Sequence, residues 1–367
     1  MSLLLATLAL AAQGPDIRGY VQPQFVARYR PQGNDVERYE VGMASSRAGL
    51  AFEGAATERW SYTLDLVVGA DTVLVVGEVY TGDDDFDGEF NSIVTDKTPV
   101  LASIVRETTT EWRPSDDLGL RVGRMQVPFS TQDLSPDTAL MFPNRASPTD
   151  SFREPVDLGA LLELGQGGEL VSGAFGLFNG NGLGVDTASE RGAAVLGRID
   201  WNPAGFFAFD ETDRGWEGFR VGFGLGALWH PYTSFDDSGT IQATHQDFRG
   251  SGSVRMATKG VLFSGEFLWS YAFDDLTDRP STAYGAFGQL GWLQQSGVEP
   301  VGRLGFTQEI EGTEPWLIGW AEGGVNVYPI EGDDRDRVRI NLLAQSEHRI
   351  TEGETALAAN AGVQVTF

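Results

Sequence analysis

Residues 355–367, TALAANAGVQVTF, alternate between apolar and polar positions up to the last residue of the chain. One face carries Leu357, Ala359, Ala361, Val363, Val365 and Phe367, and the other carries Ala358, Asn360, Gly362, Gln364 and Thr366. A period of two is typical of a β-strand with one apolar face. The segment exceeds the roughly 5–6 residues of an average strand and matches the about 9–11 residues of a tilted strand that crosses a bilayer.

The same alternation recurs along the chain, clearly in WSYTLDLVV (60–68), FRVGFGLGALW (219–229), GVLFSGEFLWSYAF (260–273) and RVRINLLAQSEHR (337–349). Aromatic residues near segment ends match the girdles of membrane barrels, and they are Trp60, Trp201, Trp229, Tyr271, Trp292 and Trp316. The pattern predicts an all-β chain that forms a transmembrane antiparallel β-barrel of about 16 strands. The strands are expected to begin near Ile17, Glu40, Arg59, Leu101, Leu118, Val156, Glu169, Arg191, Gly218, Ile241, Lys259, Ser281, Val298, Pro315, Arg335 and Thr355.

An even number of strands brings both termini to one end of the barrel, which faces the periplasm in outer-membrane proteins. The two longest connections, residues 70–100 and 126–155, are then extracellular. The second is Pro-rich and follows the fifth strand, and we expect it to fold into the lumen, because long loops are often functional. An external cap without a role in selectivity is the alternative. Periplasmic connections should be short, and the long, aromatic residues 202–216 are an exception.

Charge and composition exclude several classes of protein. The chain has 52 Asp and Glu against 26 Lys and Arg, a net charge of −26, and no Cys. Nucleic-acid binding needs a basic face, so it is disfavoured. Without Cys, the fold does not depend on disulfides. After residue 12 no apolar run reaches the roughly 20 residues of a membrane-spanning helix.

The N-terminus, MSLLLATLALAAQG, has the apolar run and small residues of a secretory signal. We expect residues 1–12 to be a signal peptide cleaved near Ala11 or Ala12, and residues 13–367 to form a single barrel domain. No Lys or Arg precedes the apolar run. A buried or disordered N-terminus is therefore the alternative.

Charged residues on the polar phase of the strands are candidates for lining a pore, whose selectivity depends on such side chains. They are Arg18, Arg28, Arg47, Arg121, Arg198, Arg220, Arg303, Arg337, Arg339, Glu53, Asp65, Asp200, Glu266 and Glu309. In the connection 126–155, the candidates for a constriction are Phe129, Asp133, Asp137, Phe142, Arg145 and Arg153. The alternative is that these charges only solvate the lumen and pair with one another.

One acidic loop resembles half of a calcium site. In DDDFDGEFN, Asp83, Asp85 and Asp87 have the spacing of the first half of an EF-hand loop, but Val94 stands at the position of the final bidentate acid. We expect no cofactor, with calcium in this loop as a weak alternative to a solvated, acidic loop tip near lipopolysaccharide.

Several short motifs carry a family resemblance. They are LRVGRMQVPFS (120–130), FREPVDLGALLEL (152–164), FGLFNGNG (175–182), GRIDWNPAG (197–205) and the terminal VQVTF. In this order they resemble the phosphate-selective porin O and P family. The resemblance implies a sixteen-stranded porin of the Gram-negative outer membrane, commonly a homotrimer, that conducts anions or small hydrophilic solutes. It also implies that Phe367 is the terminal aromatic read by the barrel assembly machinery.

Members of that family that select phosphate line the pore with many Arg and Lys. In this chain acids outnumber bases two to one, and Lys97 and Lys259 are the two lysines. The prediction therefore covers the porin class and leaves the solute open between anions such as phosphate and small hydrophilic solutes in general.

Enzymatic activity is not expected, and three interpretations compete with a porin. The first is a hydrolase at the barrel rim that uses His230 with Ser234 and Asp236, since all three histidines, including His245 and His348, fall near predicted extracellular strand ends. The second is a soluble, secreted all-β binding module, and the third is a non-conducting structural barrel with a plugged lumen. No G-x-S-x-G or H-E-x-x-H motif occurs. The glycine pattern of residues 222–227 superficially fits a dinucleotide fingerprint, but it lies inside a strand, where glycine thins the wall.

Overall fold

The structure, a computed structural model, describes residues 15–31, 36–80, 94–96, 105–153, 156–165, 170–180, 190–205, 209–215, 217–235, 241–274, 280–311, 314–330 and 337–367. The predicted signal peptide (1–12) and the candidate calcium ligands Asp83, Asp85 and Asp87 lie outside the described residues.

Strand segments within the described ranges make up sixteen barrel strands. The first eight are β1 (Asp16–Gln22 and Gln24–Pro31), β2 (Val36–Thr57), β3 (Trp60–Tyr80), β4 (Val105–Ser115), β5 (Leu118–Gln126), β6 (Val156–Leu164), β7 (Val171–Phe178) and β8 (Glu190–Gly192 and Ala194–Trp201). The others are β9 (Arg220–Phe235), β10 (Ile241–Thr258), β11 (Val261–Asp274), β12 (Ser281–Trp292), β13 (Val298–Glu311), β14 (Glu314–Val327), β15 (Val338–Arg349) and β16 (Glu354–Thr366). A short segment, Val94–Asp96, also pairs with β3.

The sheet closes on itself between the last strand and the first. Each strand pairs antiparallel with the next, and β16 pairs with β1. At this seam the Gly19 N–H donates to the Phe367 carbonyl at 2.8 Å, and the Phe367 N–H donates back at 2.9 Å. β1 is interrupted at Pro23, which has no backbone N–H to donate to the ladder. The predicted closed barrel of sixteen strands is therefore confirmed, and the alternating C-terminal segment is the strand that closes it.

The two faces of the wall are inverted relative to a soluble protein. Ile199 is 59% exposed on the outside, whereas its neighbours Arg198 and Asp200 are buried in the lumen. The same contrast separates exposed Leu304 from buried Arg303. An apolar outer face with polar residues inside is the arrangement of a barrel surrounded by lipid.

Helix is sparse in this fold. Within the described ranges it comprises one α-helix, α1 (Ser147–Phe152), a 3-10 turn (Asp137–Ala139) and the single 3-10 residue Arg337. None of these is long and apolar enough to cross a membrane.

The connection between β5 and β6 folds into the lumen, as predicted. We call residues 127–153 the inner loop. Its Val127, Phe129, Leu140, Met141 and Phe142 are almost completely buried. Residues 209–215, in the long connection between β8 and β9, also lie in the lumen, towards the end that carries the termini. Of this connection we call residues 209–215 the periplasmic segment.

Candidate solute site in the lumen

Side chains of the wall hold the first part of the inner loop through its backbone. Arg198 Nη1 donates to the Phe129 carbonyl at 3.2 Å, and Ser251 Oγ donates to the same carbonyl at 2.8 Å. The Glu266 carboxylate accepts a hydrogen bond from the Thr131 N–H at 2.8 Å. Hydrogen bonds to charged groups contribute about 1.5–3 kcal/mol each. The start of the inner loop is therefore fixed to β8, β10 and β11.

Gly226 makes room for this attachment. A Cβ atom added there would collide with the Phe129 carbonyl oxygen and with Ser251 Oγ. At Gly224 an added Cβ would crowd Arg198 Nη2 at 2.8 Å. The glycines at residues 222–227 thus leave space on the lumenal face of the wall where the inner loop approaches it. This agrees with the interpretation from sequence that glycine thins the wall here.

We predict that Gly226→Val displaces the Phe129 carbonyl and loosens the inner loop. Overpacking of this kind costs about 1–3 kcal/mol, and single-channel recordings should show a noisier open current in a barrel that still folds. Gly197→Val on β8 is the matched control, because no atom lies within 4 Å of its added Cβ. Identical recordings from both variants would contradict the assigned role of Gly226.

The second part of the inner loop is held by β13–β16. These hydrogen bonds join Gln364 to the Thr138 carbonyl (3.0 Å), Asn326 to Met141 (2.9 Å) and Arg303 to Asn144 (3.1 Å), and Arg339 donates to the Leu140 carbonyl. The Arg303 guanidinium also lies near two aromatic rings, 4.3 Å from the Phe142 centroid and 5.3 Å from that of Trp320. Cation–π contacts add to the attachment. The inner loop therefore fills the lumen beside these strands.

Open space remains on the opposite side, between the inner loop and the wall of β1–β6. We call it the lumenal cavity, and its volume is about 410 Å³. Its charged lining comprises Arg18, Glu53, Asp65, Arg106, Glu107, Arg121 and Glu163 from the wall, and Asp133, Asp137 and Arg145 from the inner loop.

Ion pairs connect the two sides of this cavity through Asp137. Arg145 Nη1 lies 2.6 Å from Asp137 Oδ1 within the inner loop, and Arg106 Nη1 lies 2.8 Å from Oδ2 across the cavity. Arg47 Nη1 approaches the same Oδ2 at 3.4 Å. Arg106 also bonds Asp65, 2.6 Å from its Oδ2. One carboxylate therefore holds three guanidinium groups, and the cluster fixes the inner loop against β2 and β4.

The pKa values of the two buried acids of the inner loop shift in opposite directions. Burial raises the pKa of Asp133 to about 6, and Arg145 and Arg153 offset this only in part. Burial alone would also raise the pKa of Asp137, but Arg145, Arg106 and Arg47 outweigh it and hold that pKa well below its ordinary value. Asp137 therefore stays ionised, whereas Asp133 titrates near pH 6.

The residues predicted from sequence to line a pore fall into three groups. Those at the lumenal cavity are Arg18, Arg121, Glu53, Asp65, Asp133, Asp137 and Arg145. The residues of the second group bind loops. Those that bind the inner loop are Arg47, Arg198, Arg303, Arg339 and Glu266. Asp200 accepts hydrogen bonds from Arg198, and Arg220 bonds Asp213 of the periplasmic segment. Those elsewhere are half-buried Arg28, exposed Glu309, and exposed Arg337 just before β15.

Three inner-loop candidates differ in position from the expected constriction. Phe129 and Phe142 are buried against the wall and do not face the lumenal cavity, because the loop backbone between them is pinned to the strands. Arg153 is exposed at the end of α1, where its Nε lies 3.4 Å from Asp150.

Sequence reasoning missed Arg106 and Glu107, which are consecutive and both line the lumenal cavity. Strict alternation would send one of them outward. The pairing of β3 with β4 slips by one residue between Asp65 and Leu66, so that Arg106 is left unpaired in the ladder. Such a bulge turns an extra side chain towards the same face.

The histidines near the rim are arranged differently from the predicted triad. Ser234 Oγ lies 3.2 Å from Nε2 of His245 on β10, and the His245 ring stacks on Tyr232 at 4.5 Å. His230 is buried beside Gly180. The predicted pairing of His230 with Ser234 is therefore replaced by a pairing across the β9–β10 ladder. Asp236 lies outside the described residues.

The geometry defines a class of protein, a closed sixteen-stranded barrel with an inward-folded loop. Solved structures share this fold over nearly their whole length. OprB of Pseudomonas putida is 12% identical with a TM-score of 0.58, over 100% of this chain and 96% of that one. An anion-selective porin of Comamonas acidovorans is 11% identical with a TM-score of 0.54, over 96% of this chain and 100% of the other. OmpT of Vibrio cholerae, in a trimer form, is 9% identical with a TM-score of 0.57, over 97% of this chain and 100% of that one.

No protein-family model and no curated protein matches the sequence. The resemblance to the porin O and P family therefore agrees with the structures in fold, and its phosphate-selective branch is not confirmed. The fold is that of the barrels of the Gram-negative outer membrane, and the apolar outer face of the wall suits that membrane.

Proposed function

We propose that the chain is a porin that gives small hydrophilic solutes and ions a passive route through the outer membrane. The observation that carries the proposal is the lumenal cavity of about 410 Å³, with charged side chains on both of its sides. A barrel of sixteen strands is wide enough to leave an aqueous channel, and charged rings and inward loops set the selectivity of such channels.

We infer a modest preference for cations. The lumenal cavity is lined by six carboxylates and four guanidinium groups. Each of these guanidinium groups lies within 3.3 Å of a carboxylate, so its charge is largely compensated. Selection of phosphate would need guanidinium or ammonium groups free for bidentate contacts. This lining therefore favours general small solutes over a phosphate-specific route.

Purified protein in a planar bilayer tests the channel itself. We expect step-like conductance increases as single barrels insert, and swelling of liposomes in small sugars. Mobility that differs between boiled and unboiled samples serves as the control for folding. Folded protein that inserts without any conductance would leave the structural, plugged barrel as the better account.

We infer a homotrimer, because one structural neighbour is described in a trimer form. Light scattering of the detergent complex, corrected for bound detergent, would measure its mass. Lipopolysaccharide at the loop end and the barrel assembly machinery at Phe367 complete the proposed set of partners. The Phe367 ring is exposed and covers Gly19 at the seam, where such machinery has access to it.

We also infer that the chain is not an enzyme. Among the described residues, the Ser234–His245 contact is the arrangement that comes nearest to a nucleophile with its base. A hydrolase also needs hydrogen-bond donors beside the nucleophile for the oxyanion, and these are often backbone N–H groups. Ser234 is paired with strands on both sides, with Glu190 of β8 and Ala243 of β10, so the backbone around it is committed to the sheet. Labelling by a fluorophosphonate that disappears in Ser234→Ala would overturn this inference.

We predict that the cation preference declines on acidification from pH 7.5 to pH 5. Burial raises the pKa of Asp133 to about 6, so it gains a proton in this range and the lumenal cavity loses a negative charge. Because the folded-state pKa lies above the ordinary value of about 4, the stability cost of ionising Asp133 is full above about pH 6 and disappears as the pH falls towards 4. Reversal potentials at both pH values measure the effect, and in Asp133→Asn the shift should be smaller. An equal shift in that variant would assign the titration to another group.

A further inference from the structure

The periplasmic segment occupies the lumen below the inner loop. Its Glu211, Thr212 and Asp213 are buried. Asp213 accepts hydrogen bonds from the Gly260 N–H at 2.7 Å and from Arg220, which tie the segment to the turn after β10 and to β9. The segment is therefore anchored to the wall and is not a loose turn.

Glu211 bonds two distant points of the inner loop. Its Oε1 accepts a hydrogen bond from Gln132 Nε2 at 2.8 Å, and its Oε2 accepts one from the Met141 N–H at 2.7 Å. The Glu211 N–H also donates to the Ala139 carbonyl at 3.0 Å. Gln132 in turn accepts from the Ala146 N–H at 2.7 Å through its own Oε1. One carboxylate thus joins the two halves of the inner loop.

Between the inner loop, the wall of β10–β12 and the periplasmic segment lies a second, narrow space. It has a volume of about 10 Å³, room for roughly one water molecule. Polar residues at this space include Ser253, Arg255, Ser264 and Glu266 of the wall and Thr131 and Gln132 of the inner loop. Phe209, Asp210 and Glu211 complete it from the periplasmic side, with the Phe209 ring centroid 4.6 Å from the Arg255 guanidinium.

We propose that the periplasmic segment is a clamp that positions the inner loop and keeps this second part of the lumen too narrow for solutes, with Glu211 as its positioning residue. Solutes are then confined to the lumenal cavity, so the clamp is a determinant of specificity; in this the proposal rests on the proposed channel function. A polar wall without the clamp would provide a second route with a different lining of charges.

The absence of Cys from the chain makes thiol labelling a clean test. Ser264→Cys reports on the narrow space, which Ser264 lines, and Thr63→Cys reports on the lumenal cavity, which Thr63 lines. A charged methanethiosulfonate reagent is added to folded protein in lipid vesicles. We expect Thr63→Cys to react rapidly and Ser264→Cys to be protected.

Adding Glu211→Ala should then expose the cysteine at position 264. Each lost hydrogen bond to the carboxylate shifts an opening equilibrium by roughly tenfold, so modification should accelerate by at least that factor while Thr63→Cys is unaffected. Glu211→Gln keeps the shape of the side chain and is the second variant if Glu211→Ala does not fold. Glu58→Gln is its matched control, with the same change of charge in the exposed turn between β2 and β3 and no expected acceleration.

Different outcomes separate the clamp from the channel. Rapid labelling of Ser264→Cys with native Glu211 would overturn the closure of the second space. Protection that persists in both Glu211 variants would overturn the positioning role of Glu211. An unreactive Thr63→Cys in protein that shows no conductance would instead count against the proposed channel function, because the lumenal cavity would then be closed.

Discussion

Replacing Asp137 with Ala is expected to move the reversal potential of the channel towards anions. The substitution removes the carboxylate that holds Arg145, Arg106 and Arg47 and leaves their charges poorly compensated at the lumenal cavity. A unit charge about 4 Å from a passing ion is worth about 1 kcal/mol in water, which is roughly a fivefold change in relative permeability. Reversal potentials under a fixed KCl gradient measure this change.

The same substitution should also destabilise the inner loop. Breaking a buried ion pair by removal of one partner costs about 3–5 kcal/mol, and the loop would lose its attachment to β2 and β4. Asp150→Asn is the matched control on the same loop, because the Asp150–Arg153 pair is exposed and exposed pairs contribute about 0–1 kcal/mol. If Asp150→Asn shifted the reversal potential as much as Asp137→Ala, overall charge and not the cluster would determine selectivity.

Replacing residues 131–146 with a flexible Gly/Ser linker is expected to raise single-channel conductance severalfold. This part of the inner loop carries Asp137, Met141, Phe142 and Arg145, and it fills the lumen beside β13–β16. Without it, the bore of a sixteen-stranded barrel is limited by wall side chains alone. The current should also become less selective, because the ions then pass farther from fixed charges. Unchanged conductance in a folded variant would mean that the inner loop does not limit the route.

The barrel was predictable from sequence because it depends on local pattern. The alternation in residues 355–367, and the similar alternation in other segments, predicts successive strands. Observed strand starts coincide with those predicted near Leu118, Val156, Ile241, Ser281 and Val298. Lumenal charges follow from the same alternation, and so Arg18, Arg121 and Asp65 were found.

The sequence did not predict which lumenal charges line the cavity and which bind the inner loop. Arg198, Arg303 and Arg339 have the same phase as Arg121, yet they bind backbone carbonyls of the inner loop. Which guanidinium meets the loop depends on the path of the loop across the lumen, and no periodic signal encodes that path. Arg106 was missed because a bulge changes the phase. For Glu211 the signal was the unusual length of the connection between β8 and β9.

The reversal potential of the native channel under a KCl gradient tests the central claim most directly. Charged residues at the lumenal cavity are predominantly acidic and its arginines are paired, so at pH 7.5 we predict a modest preference for K⁺ over Cl⁻. Clear selectivity for Cl⁻, with block by millimolar phosphate, would contradict this account and would favour a route lined by unpaired arginines.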